Sequence, residues 1–134
     1  MTVEELLQLP TIKGLKLISG NLGVHREIST VTVVDTPDGF QWLKGNEVVI
    51  TTTYALEKTP NSFLDFISKL LSRNISALIV KSDRYIKVIP ENAKKLCDEK
   101  ALPLIYCPAI YAFADIINPT LSGIISKQAE QLKE

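Results

Sequence analysis

Three short apolar runs, set apart by two segments of helical periodicity, constrain this chain most: Glu47-Val-Val-Ile50, Ala77-Leu-Ile-Val80 and Pro103-Leu-Ile-Tyr-Cys107. A short unbroken apolar run is the pattern of a strand covered on both faces. Between the first two runs, Phe63, Phe66, Ile67, Leu70 and Leu71 fall at offsets 0, 3, 4, 7 and 8, one face of an α-helix. Thr59-Pro60 supplies its cap and first helical residue. Between the second and third runs, Pro90 opens another helix, with Ala93, Leu96 and Cys97 facing inward. Strand–helix alternation of this kind demands right-handed crossovers. The expected fold is therefore α/β: a small layered sandwich with a mostly parallel central sheet flanked by helices.

The flanking segments extend this frame. Thr2 and Glu5 have capping-box spacing, and Leu6, Leu7 and Leu9 follow before Pro10, so residues 2–9 read as a short helix lying over the core. Gly14-Leu-Lys-Leu-Ile18 alternates like a strand and ends at the glycine-governed turn Ser19-Gly-Asn-Leu-Gly23, which feeds a central strand. That strand carries Ile28, Val31, Val33 and Val34 and stops at Asp35-Thr-Pro-Asp-Gly39. Near the end of the chain, Leu121, Ile124, Ile125 and Leu132 stand at helical offsets 0, 3, 4 and 11 before the sequence turns polar in SKQAEQLKE. Two parts follow: residues 1–110 as an α/β unit, and residues 111–134 as a C-terminal helix. This helix either packs on its own domain or leaves as a connector to another, and Leu121, Ile124 and Ile125 are its candidate connector or dimer contacts.

Charge and composition exclude several classes. A chain of 134 residues with 46% hydrophobic content suits one core. Fifteen basic residues balance fifteen acidic ones, whereas a nucleic-acid module shows a basic stripe, so direct DNA binding by this segment is not expected. No apolar run approaches the roughly 18 to 20 residues of a membrane span, and the start Met1-Thr-Val-Glu-Glu5 is acidic rather than basic then apolar. A cytoplasmic setting without membrane contact is the expectation. Cys97 and Cys107 lie ten apart without Cys-x-x-Cys spacing, and the chain has one histidine, so reduced packed thiols and no metal site are expected. Phosphate-loop, dinucleotide, zinc-protease and nucleophile-elbow motifs are all missing. No catalytic residue, cofactor or enzymatic activity is expected.

The polar ends of two strands are where chemistry could gather. Asp35-Thr-Pro-Asp38 follows one strand, and Thr51, Thr52 and Thr53 follow the next. In open α/β sheets strand ends form the usual ligand crevice. Asp35 and Asp38 could hold a cation, accept from a ligand or act as acid and base, but an aspartate in such a turn also caps backbone. Trp42 could stack on a planar ligand or anchor the core. The threonines offer hydroxyls and N–H groups, and are equally good strand formers. The candidate ligand residues are thus Asp35, Pro37, Asp38, Trp42, Thr51, Thr52 and Thr53. His25 with Arg26, and Lys81 with Arg84 and Lys87, form the nearest approach to an anion patch, or are scattered surface charge.

Five stretches, taken in order, resemble the N-terminal domain of PucR-type (purine catabolism) transcription regulators. They are Thr2-Val-Glu-Glu-Leu-Leu7, Ile18-Ser-Gly-Asn-Leu-Gly-Val-His-Arg26, Val31-Thr-Val-Val-Asp-Thr-Pro-Asp38, Trp42-Leu-Lys-Gly-Asn-Glu-Val-Val-Ile-Thr-Thr52 and Ala101-Leu-Pro-Leu-Ile105. The likeness spans nearly the whole chain. This sequence departs from it at Thr53, where family members usually carry glycine, and near Ser19-Gly20, where they carry Ala-Gly. The resemblance implies a cytoplasmic bacterial regulator in which this domain senses a small metabolite, purine-related or other, or dimerises. DNA would then be bound only by a helix-turn-helix outside these residues. Three readings stay open: a metabolite-sensing domain acting as a homodimer, a ligand-free interaction module working through the C-terminal helix, and an enzyme using Asp35 and Asp38.

Overall fold

The computed structural model describes residues 1–52, 62–82 and 89–133. Its first helix, α1 (Val3–Leu7), starts as the capping-box spacing requires: Thr2 Oγ1 accepts from the Glu5 N–H at 3.2 Å, and Glu5 Oε1 accepts from the Thr2 N–H at 3.0 Å. Five strands follow in chain order: β1 (Lys16–Ser19), β2 (Thr30–Val33), β3 (Glu47–Thr51), β4 (Ala77–Ser82) and β5 (Leu104–Pro108). In space they run β1-β5-β4-β3-β2, with β1 antiparallel to β5 and the other pairs parallel. The expected mixed α/β sandwich is the observed one.

The position of β2 differs from the sequence expectation. Read in order, the glycine turn should feed a central strand, yet β2 lies at one edge and β1 at the other. The reason is topological. Right-handed crossovers lay β2, β3, β4 and β5 side by side in one direction, which leaves β2 outermost and only the far side of β5 open to β1.

The same rule puts α2 (Ser62–Leu71) and α3 (Glu91–Glu99) on one face. Phe63, Phe66, Ile67, Leu70, Ala93 and Cys97 pack there with Val49, Leu78, Val80 and Leu104. The Thr59-Pro60 cap expected ahead of α2 lies outside the described residues. On the opposite face α1, a 3-10 turn at Pro10–Ile12 and α4 (Phe113–Lys133) cover Val48, Ile50, Ile79 and Ile105. The inward side of α4 is Ile116, Thr120 and Ile124, with Leu121 half-buried. Ile125 is 63% exposed and Leu132 is 88% exposed, so the last turns of α4 do not rest on the sheet. Burial pushes the Cys97 thiol up to about 12 and the Cys107 thiol to about 11, so both stay protonated at neutral pH.

The Ser19–Arg26 stretch docks on the turn between α3 and β5. Gly20 sits in the left-handed region at φ 77°, and its N–H donates to Asp98 Oδ1 at 2.7 Å. A Cβ on Gly23 would lie 1.8 Å from the Ala101 carbonyl oxygen, so only glycine allows the contact. The Arg26 guanidinium donates to the carbonyls of Ile75 and Lys100, both at 3.0 Å.

Glu5 also ties α1 to α4 through Lys127, at 3.2 Å. The Thr2 backbone N–H, and then Lys127, hold the Glu5 carboxyl below its ordinary 4.5. Its contribution to stability is therefore present above 4.5 and lost as pH falls through the lowered folded value. Urea denaturation across this acid range should show a steeper loss of stability for the wild type than for Glu5→Gln. Identical acid limbs would contradict the tie.

Candidate functional site

Two carboxylates frame the β2–β3 pair. At its N-terminal end the chain turns through Gly45 and Asn46, both at positive φ (115° and 66°), and the buried Glu47 accepts from the Lys44 N–H at 2.6 Å and the Gly45 N–H at 2.8 Å. Lys-Gly-Asn-Glu is thus a self-closed turn. At the C-terminal end Asp35 Oδ1 accepts from Thr51 Oγ1 at 3.0 Å and from the Thr52 N–H at 2.7 Å, while Asp35 Oδ2 accepts from Thr52 Oγ1 at 3.0 Å. The structure therefore brings Asp35, Thr51 and Thr52 together, and joins them to one another.

The other candidates are placed differently. Asp38 is exposed at the start of a 3-10 turn, Gly39–Trp42, and makes no capping bond through its side chain. Pro37 is exposed beside it. Thr53 lies outside the described residues, as do Arg84 and Lys87. Within the turn, Phe40 and Trp42 leave on different sides. Phe40 packs against the α2-side core, with Lys69 and Arg73 each 5.6 Å from its ring centre. Trp42 is 81% exposed. The sole tryptophan is not the core anchor, because Phe40 fills that place two residues earlier.

Trp42 stands over a groove of about 560 Å³ running along β2, lined by Thr30, Thr32, Val33, Asp35, Thr36 and Lys44 among others. The hydroxyls of Thr30, Thr32 and Thr36 and the Lys44 ammonium make no hydrogen bond within the described residues. These four groups were not singled out by the sequence. The available signal was the Thr-Val-Thr-Val alternation of β2, which contrasts with the continuous apolar runs and marks a strand with one uncovered face. Arg26 and Lys81 are engaged structurally, Lys81 donating to the Ala109 carbonyl at 3.1 Å. No group of three or more His, Cys, Asp or Glu among the described residues could hold a metal ion. No helix among them is long and apolar enough to cross a membrane.

The model of the purine catabolism regulatory protein-like (PucR) family matches residues 5–124. The chain belongs to the PucR family. The match starts at the capping glutamate of α1 and runs to Ile124, the last buried residue of α4. The purine catabolism regulatory protein of Bacillus subtilis (strain 168) is 31% identical over 134 residues, which is all of this chain and 25% of that protein. The chain thus spans about a quarter of the length of the curated relative it matches.

Removing the buried Glu47 carboxylate would take the acceptor from two N–H groups of a partly exposed turn. Glu47→Ala should lower unfolding stability by about 1–3 kcal/mol, read from the urea midpoint. A loss below about 0.5 kcal/mol, the usual range for a neutral surface change, would show that the turn closes without it.

Proposed function

We propose that this chain is a regulatory domain of a transcription regulator and that the groove along β2 receives a small polar molecule with a planar part. The observation that carries the reading is the pairing of an exposed indole with polar groups that have no partner among the described residues. Trp42 offers a stacking face, Thr30, Thr32 and Thr36 offer donors and acceptors, and Lys44 offers a cation. Asp35 lines one end of the groove, and its bonds to Thr51 and Thr52 hold it there as a fixed wall rather than as a first contact. The relative's name makes purines and their breakdown products the first class to test, with nucleotides and amino acids next.

Regulation would be population shift. A ligand that prefers one arrangement of α4 would bias it by no more than its differential affinity for the two arrangements. The exposed stripe of Ile125 and Leu132 supports α4 as the connector that carries this bias. DNA contact would belong to a part of the regulator outside these residues, in a cytoplasmic protein. A second reading, a ligand-free interaction module, draws on the same exposed stripe.

Trp42 is the single tryptophan and so reports directly on the groove. Titration with each class should quench or shift its fluorescence in a saturable way for one class and raise thermal stability in parallel. Thr32→Val should then weaken binding about tenfold, the effect of losing one hydrogen bond of about 1.4 kcal/mol. A flat titration across all classes would remove the sensing role and leave the interaction module.

A further inference from the structure

The two edges of the sheet are built differently. β1 begins with Lys16, and its pairing with β5 breaks register between Leu17 and Ser19. A charge and a bulge are the usual devices that stop an edge from recruiting another strand. β2 has neither. Thr30-Val-Thr-Val33 is uncharged, free of proline and in unbroken register with β3. It pairs with no second strand among the described residues. Parallel strands bond through alternate residues, and the Val34 N–H donates to the Ile50 carbonyl at 2.9 Å. That phase turns the N–H and C=O groups of Val31 and Val33 toward the open side. Val33, 37% exposed, and Trp42, 81% exposed, stand beside this edge.

Charge along the edge says what fits it. Lys44 lies at the N-terminal end of β2, where Ser29 Oγ donates to the Gly45 carbonyl at 3.1 Å and Thr30 pairs with Glu47. Asp38, exposed, lies past the C-terminal end. One end is cationic and the other anionic. A twofold axis through Thr32 would run a second β2 antiparallel to the first, with Val31 opposite Val33 of the second copy. The Lys44 end of each copy would then lie beside the Asp38 end of the other, and like charges would not meet.

We infer that β2 is a self-association edge: two copies of this chain pair β2 with β2, antiparallel, and join their sheets into one. The contact covers Val33, the exposed apolar residue of the strand. This inference goes beyond the metabolite reading and does not rest on it, because association is measured with no ligand present.

Sedimentation velocity on the full 134-residue chain over a concentration series provides the test. The expected result is a reversible dimer. Lys44→Glu and Asp38→Lys should each weaken it about tenfold, since each places like charges together at two symmetric positions. The double variant should restore it, because the swapped charges again complement each other. Val33→Lys should abolish it, and thermal melts would confirm that every variant folds. A chain that stays monomeric throughout overturns the inference. So does a dimer indifferent to the single charge reversals, one not restored by the double swap, or one lost instead in Ile125→Glu, which would assign association to α4.

Discussion

The pairing of β2 with β3, fastened by a carboxylate at each end, is the interaction on which the rest of the site depends. Glu47 closes the turn that starts β3, and Asp35 binds the end of β2 to Thr51 and Thr52. An edge strand of four residues has one neighbour instead of two and is the part of a sheet that opens most easily. Charge-assisted bonds at both ends offset that weakness. They also fix the crossing segment 34–46, which decides that Phe40 enters the core and Trp42 faces solvent.

This arrangement separates scaffold from open chemistry. Many residues of the stretches that resemble the PucR family hold the chain together. Gly20, Gly23 and Arg26 dock on the turn around Lys100 and Ala101, Thr2 and Glu5 cap α1, and Asp35 and Glu47 secure β2. Polar groups without partners among the described residues gather along β2 instead.

Much of the fold was legible because its central strands are covered on both faces and its α2 stripe has a clean helical period. β3 and β4 read as apolar runs, and Phe63, Phe66, Ile67 and Leu70 fall on one buried face as their spacing demands. Strand order is not legible, since periodicity assigns faces and not neighbours, and the Thr-Val alternation of β2 belongs to an edge strand rather than to the central one expected. The site was legible in part. Sequence brought Asp35 together with Thr51 and Thr52 but could not show that they bond one another. It could not settle Trp42 either, because Phe40 and Trp42 are two residues apart and only the twist of the 3-10 turn chooses which one is buried. Thr32, Thr36 and Lys44 lie inside stretches that resemble the PucR family, but their residue types alone signal no chemistry, and only the path of the crossing segment lines them up with Thr30 along one groove.

The central claim is that the Asp35 carboxylate holds the edge strand, and amide hydrogen exchange tests it most directly. In dilute wild-type chain, the Val34 amide, bonded to Ile50, should be protected, and the outward amides of Val31 and Val33 should exchange fast. Asp35→Ala should speed exchange at Val34 by about tenfold or more, matching the loss of charge-assisted bonds of about 1.5–3 kcal/mol, while β4 amides keep their protection. Unchanged protection at Val34, or a loss spread equally over β4, would show that β2 is held by the general packing of the sheet and not by this carboxylate.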